Sequence, residues 1–265
     1  ERLTQIKSLL PDHCHLIEDN AQSFEPLQKP EHLVGDMVIT SFGRGKPVSL
    51  LGGGLCLVKT SLDKQLYLKK LIGPTQDPSL LAIKIRVYNC LINPLLYPLI
   101  NRNPLLSIGE THYKEKLTIR VLDKQRQQWL DENVQAYKKQ STAAQTAIDN
   151  TLNKFSKDSF KKIIDSDNSR TGKLLRYPVL CQSKQQRDRL YNLLEKQGLG
   201  ASKLYGEPLA KIRGLPHIKL APHANAASFS SKLLTLPCHQ SVELKHLRDI
   251  AHAFEESSKI NGSEP

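Results

Sequence analysis

Leu16-Ile17-Glu18-Asp19-Asn20-Ala21-Gln22 and, one loop later, Ser41-Phe42-Gly43-Arg44-Gly45-Lys46 decide how this chain folds. Each stretch begins where a short apolar run closes. Cys14 to Ile17 reads as a strand ending on the acidic pair Glu18-Asp19, and Met37-Val38-Ile39-Thr40 as a second strand. Gly52-Gly53-Gly54 precedes a third, Leu55-Cys56-Leu57-Val58. Buried strands of parallel sheets read as such continuous apolar runs, and their ligands gather at the strand ends. The residues that carry chemistry are therefore expected just beyond the first two strands.

Two of them stand out on chemical grounds. Asp19 sits at the mouth of a strand, where a carboxylate can meet a ligand. Lys46 lies one loop beyond the next strand, among glycines that let a ligand approach the backbone. Such a lysine is a Schiff-base candidate once a desolvated or cationic setting removes the ammonium proton. The loop is not a phosphate-binding Walker sequence. That pattern needs a glycine five residues before the Gly-Lys glycine and a Ser or Thr after the lysine; Thr40 and Pro47 stand there instead.

Outward from this centre, Leu3 to Leu10 has helical spacing and is ended by Pro11-Asp12. From Leu62 to about Ile108 the chain reads as helices broken by Pro94, Pro98 and Pro104. Tyr113 to Phe155 contains neither proline nor glycine. Leu117, Val121, Trp129, Val134, Tyr137, Ala144, Ile148, Leu152 and Phe155 form one apolar stripe there, as on a long amphipathic helix with at most one break. Trp129 and Tyr137 are read as packing residues rather than as a stacking platform. A linker from Asp165 to Gly172 leads to a strand, Leu174 to Cys181, and a helix, Lys184 to Gln197, stopped by Gly198. Leu233 to Leu236 reads as a strand and Val242 to Phe254 as the last helix. The polar residues 256–265 are expected to be disordered.

The composition sets limits on function. The 265 residues carry 38 basic and 26 acidic side chains, a net charge of +12 that would attract polyanions. The basic residues are scattered in pairs such as Lys69-Lys70 and Lys161-Lys162, with no arginine-rich arm and no aromatic-and-basic RNA-binding signature. That pattern speaks against nucleic acid, and an anionic small substrate explains the charge equally well. Five dispersed cysteines without a CxxC pair argue against a disulfide framework and for a reducing compartment. The most apolar region, Leu80 to Ile100, is interrupted by Lys84, Arg86 and two prolines, so no membrane span is expected, and a cytoplasmic location is the default. His13, Cys14, His15, Cys238 and His239 match no ligand spacing of a zinc site, and no metal is expected.

A third stretch, Leu233-Leu234-Thr235-Leu236-Pro237-Cys238-His239, completes a pattern. Together the three stretches resemble the DegT/DnrJ/EryC1/StrS family of pyridoxal-phosphate (PLP) sugar aminotransferases. Members of that family carry I-E-D-x-A-Q, then S-F-x-x-x-K before a glycine-rich turn, and L-P-x-H ahead of a last helix. The corresponding segments are Ile17 to Gln22, Ser41 to Lys46 and Leu236 to His239. A looser match runs through Arg176-Tyr177-Pro178-Val179, the Arg187 helix and Gly198-Leu199-Gly200, and the segment from Leu62 to Ser107 matches poorly. Gly52 stands near the place of the glutamate that the family's turn usually contains.

The resemblance implies an α/β fold of the aspartate-aminotransferase type (PLP-transferase type I), seen without the N-terminal portion that the family places ahead of Ile17. Residues 1–111 would be the rear of the large cofactor domain, and 112–265 a bridging long helix with a small C-terminal domain. Lys46 would hold PLP and shuttle the substrate proton, and Asp19 would keep the pyridine nitrogen protonated. Gln22 would lie against the cofactor ring, and Ser41 would donate to its phosphate. The implied reaction moves an amino group, from glutamate, onto a keto-sugar bound to a nucleotide, in a homodimer. A related sugar dehydratase branch has histidine in place of the lysine, so Lys46 argues against it. The alternative is a truncated or non-catalytic remnant acting as an interaction module.

Overall fold

The computed structural model describes residues 2–24, 33–62, 73–75, 77–91, 118–155, 159–163, 172–209, 212 and 223–258. They fall into two compact units. The first comprises Glu1–Arg102 with Lys116–Lys139, the second Asn103–Glu115 with Gln140–Pro265.

In the first unit, helix α1 (Arg2–Leu9) precedes a three-stranded sheet of β1 (Ile17–Asp19), β2 (Met37–Ser41) and β3 (Gly54–Val58). β1 and β2 run parallel, with Ile17 opposite Met37 and Asp19 opposite Ile39. The strands that lead to Asp19 and Ser41 therefore lie side by side in one sheet. β1 starts later than Cys14 because the Cys14 amide turns back to the Pro11 carbonyl (2.9 Å) and the Leu16 amide donates to the Asp36 carboxylate (2.9 Å). β3 departs from the expectation of a buried parallel strand. It is antiparallel to β2 and its first three residues, including Leu55 and Cys56, are exposed. β4 (Gly73–Thr75) and helix α2 (Leu81–Leu91) are the described parts of the proline-rich region; Pro94, Pro98 and Pro104 lie outside the described residues.

The expected long helix is two helices. After the short strand β5 (Arg120–Val121), which pairs with β4, α3 runs from Lys124 to Lys139 and α4 from Ala143 to Leu152. The break falls on Gln140-Ser141-Thr142, where the Ser141 hydroxyl accepts from the Ala143 amide (3.1 Å) and so competes with the helical ladder. Asp123 precedes helix α3, and its carboxylate accepts from the Arg126 amide (3.0 Å), an N-cap bond. Its stripe of Trp129, Leu130, Val134 and Tyr137 packs on Phe24, Phe42, Val48 and Leu50. That packing assigns α3 to the first unit, although its position in sequence suggests the C-terminal half. Tyr113 and Leu117 lie outside the described residues.

The second unit is an antiparallel sheet, β6 (Phe160–Lys162), β7 (Tyr177–Cys181) and β8 (Leu233–Leu236), in that order. Tyr177, Val179 and Cys181 alternate inward along β7, as a half-covered strand requires. Helix α5 (Lys184–Lys196) is capped by Ser183, which accepts from the Gln186 amide, and is stopped by left-handed Gly198 with the Leu199 amide closing on the Leu194 carbonyl (3.0 Å). With α4, α6 (Ala224–Lys232) and α7 (Leu244–Ser258) it encloses a core that includes Leu190, Leu234, Leu236, Ile250 and Phe254. Helix α7 continues to Ser258, so residues 256–258 are helical rather than disordered; 259–265 and the linker positions 165–171 lie outside the described residues.

Candidate active site

Because β1 and β2 are parallel, both end on the same edge of the sheet, and ligands of α/β sheets bind at that edge. Side chains directly opposite each other in a sheet share a face, and alternate residues return to it. Asp19 lies opposite Ile39, and Ser41 is two residues beyond Ile39, so Asp19 and Ser41 stand on one face. The other face carries Glu18, Val38 and Thr40, all buried. The division is sharp: Val38 is 3% exposed, whereas Ile17, on the face of Asp19, is 57% exposed.

Glu18 and Asp19 are thereby given different work. The Glu18 carboxylate accepts from the amides of Val34 (2.6 Å) and Gly35 and ties down the residues that lead into β2. Asp19 is exposed, and one of its oxygens accepts from the Ala21 amide (3.0 Å), which aims the carboxylate across the strand end. The chain turns there, with the Asn20 amide donating to the Ile39 carbonyl (2.8 Å), and exposed Gln22 follows in the same turn.

Beyond Ser41 the chain makes a closed loop, residues 42–53. Its neck is set by Phe42, whose amide donates to the Gly53 carbonyl (2.9 Å) and whose carbonyl accepts from Leu50 (2.8 Å) and Gly52 (3.1 Å). Lys46, half-buried, rides on the near leg, and its amide donates to the Gly43 carbonyl (3.3 Å). A Cβ on Gly43 would stand 3.3 Å from Ser41 Oγ and 3.8 Å from Lys46 Cγ, so hydroxyl and lysine stem come together around this glycine. The Gly43 amide donates to Ser41 Oγ (3.2 Å), leaving the hydroxyl hydrogen of Ser41 available to donate outward. Gly45, at φ +66°, supplies the left-handed turn before the lysine.

The other expected segment is structural. His239 follows β8, and its Nδ1 accepts from the Ser241 amide (3.3 Å) in the turn before α7. Burial and the neighbouring Arg176 and His246 push the His239 imidazole below its ordinary value. Among the described residues no group of three His, Cys, Asp or Glu side chains is gathered to hold a metal. No helix among them is long and apolar enough to cross a membrane. Reading the sequence missed Asp123 and Arg126, a buried ion pair against the far leg of the Lys46 loop; an Asp three residues before an Arg at a helix start was the available signal.

The family model of the DegT/DnrJ/EryC1/StrS aminotransferases matches residues 130–255. A search of curated proteins gives no significant match. Among solved structures the chain is similar to a member of this family from Brucella abortus, with 19% identity and a TM-score of 0.62 over 97% of this chain and 60% of that one. A Streptococcus pneumoniae protein assigned as a sugar aminotransferase, solved in its PMP form, gives 15% identity and a TM-score of 0.62 over 92% and 59%. An aminotransferase from Psychrobacter cryohalolentis gives 16% and 0.58 over 96% and 64%. The likeness shows the fold, which is that of the PLP-dependent aminotransferases. This chain spans about three fifths of the length of the structures it matches.

Proposed function

We propose that the protein carrying this chain is a PLP-dependent aminotransferase of the DegT/DnrJ/EryC1/StrS family, with Lys46, Asp19, Gln22 and Ser41 in its cofactor site. The observation that carries the reading is the shared face of Asp19 and Ser41 beside the glycine loop of Lys46. The Streptococcus pneumoniae protein has been solved in PLP, PMP and apo forms, which supports the choice of cofactor.

The residues present fit that group. PLP offers a ring nitrogen, an aldehyde and a phosphate; the site offers a carboxylate, an amine and an outward hydroxyl, around a cradle that a Cβ on residue 43 would fill. When bound, PLP supplies an electron sink for a carbanion next to the transferred nitrogen. Asp19, held by the Ala21 amide, would keep a proton on the ring nitrogen by presenting its carboxylate to it. Ser41, which already accepts from Gly43, would donate its hydroxyl hydrogen to a phosphate oxygen of the cofactor. Gln22 would lie against the ring. Lys46 Nζ would hold the cofactor and would move the proton at the substrate carbon.

The amino acceptor in this reading is a keto-sugar, carried on a nucleotide, and the donor is glutamate. The likeness to an assigned sugar aminotransferase supports the sugar, and the net charge of +12 favours an anionic carrier. The complete protein is expected to work as a homodimer in the cytoplasm. The test is borohydride reduction of the complete protein with PLP bound, followed by peptide mapping. A single label on Lys46 is expected. Label on another lysine, or none with cofactor demonstrably bound, ends this reading.

A further inference from the structure

The turn that closes the Lys46 loop is strained, and a buried ion pair holds it. Leu51, Gly52 and Gly53 have φ values of +58°, +151° and +86°. A leucine in the left-handed region persists only where its surroundings over-determine it. The Phe42 bonds described above close the neck of the loop from one side. From the other side, Arg126 Nε donates to the Leu50 carbonyl at 3.0 Å.

Arg126 is itself fixed. One Asp123 oxygen caps α3 through the Arg126 amide, and the other pairs with the Arg126 guanidinium; each side chain is 2% exposed. Burial pushes the Asp123 carboxyl up, but the Arg126 amide and guanidinium outweigh it, and the net shift is downward. A buried pair of this kind is weak evidence for stability, because apolar groups of similar volume often serve as well. A planar, pre-oriented donor aimed at one carbonyl is what apolar groups cannot supply.

We propose that Arg126, oriented by Asp123, is a positioning residue for Lys46, fixing the Leu50 carbonyl and with it the loop on which the lysine rides. The proposal rests on the reading of Lys46 as the residue that holds the cofactor.

The test uses the complete protein and the double substitution Asp123→Asn with Arg126→Met. Asparagine keeps an oxygen for the helix cap, and methionine keeps bulk without a donor. Amide hydrogen exchange and PLP titration are then compared with the unaltered protein. Amides of α3 should stay protected, while those of Leu50 and Gly52 should exchange about tenfold faster, the size of one hydrogen bond from a charged donor. PLP affinity should fall by a similar factor, and the pH midpoint of the visible band of Lys46-bound cofactor should move. Arg126→Lys retains a cation opposite Asp123 but lacks a second fixed N–H for Leu50, so it should loosen the same amides. Unchanged exchange in the turn overturns the proposal, as does a loosened turn with unchanged affinity and midpoint. Should the double variant fail to fold, Arg126→Lys decides by the same criteria. Borohydride label away from Lys46 in the unaltered protein overturns the cofactor reading and the proposal with it; label on Lys46 that ignores Arg126 overturns the proposal alone.

Discussion

Asp19 and Ser41 stand on the same face of the β1–β2 pair, with Ser41 two residues beyond the partner of Asp19. A carboxylate and a hydroxyl so placed can grip opposite ends of one flat ligand. They do so without either strand bending, because the register sets their offset. Each contact can then be removed separately.

Asp19→Asn should leave borohydride labelling of Lys46 intact while slowing transamination by about a hundredfold or more, the scale of losing one preorganised electrostatic contact. Lys46→Ala should abolish the label altogether. Single-turnover absorbance with mapped peptides separates the two outcomes.

Substituting two glycines of the first unit should give unequal costs. At Gly54 a new Cβ would meet the Thr40 carbonyl oxygen at 2.3 Å, inside the β2–β3 pair. Gly54→Ala should destabilise the unit by about 3 kcal/mol, an overpacking cost at the upper end. Nothing lies within 4 Å of the same position on Gly45, so only its φ of +66° is penalised, by about 1 kcal/mol. Urea unfolding followed by Trp129 fluorescence should rank them in that order.

Asp36 gives the first unit an acid limit. Its hydrogen bond with Lys7, the Leu16 amide (2.9 Å) and Lys59 (3.3 Å) hold its carboxyl far below the usual carboxylate range. A depressed folded value contributes stability above the unfolded carboxylate value, lost as pH falls through the folded one. Asp36→Asn should therefore cost about 1–2 kcal/mol at neutral pH and progressively less in strong acid. Equal losses at both extremes would contradict this assignment.

The thiols should divide by environment. Burial pushes Cys181 up to about 12 and Cys238 up to about 11, and the Cys238 thiol also donates to the Leu174 carbonyl (3.4 Å). Cys56 and Cys90 are exposed, although partial desolvation pushes the Cys56 thiol up as well. A thiol reagent at pH 8 should modify the exposed pair within minutes and reach Cys181 and Cys238 only on unfolding, since the thiolate is the reactive form.

The first two strands and the last strand were legible because each is an apolar run closed by a distinctive polar residue. The lysine loop was legible because glycines flank it. β3 was misread because Leu55, Cys56 and Leu57 are as apolar as a buried strand, and composition does not reveal which edge a strand occupies. Helix α3 was grouped with its neighbours in sequence, since nothing in its periodicity says which core Trp129 and Tyr137 will join. The Asp123–Arg126 pair was invisible for a similar reason. Its partner, the Leu50 carbonyl, belongs to a backbone every sequence shares.

Leu50 and Arg126 are 76 positions apart in the chain. Synthesis proceeds from the N-terminus, so the lysine loop leaves the ribosome well before the arginine that steadies it. The site is thus expected to mature in two stages, with strand pairing first and the turn beyond Lys46 tightening only when α3 emerges and docks. Nascent chains halted before residue 123 should bind cofactor poorly even though every residue proposed to contact it in β1, β2 and the lysine loop has already been synthesised. Full occupancy on such stalled chains would show that the loop sets its own shape.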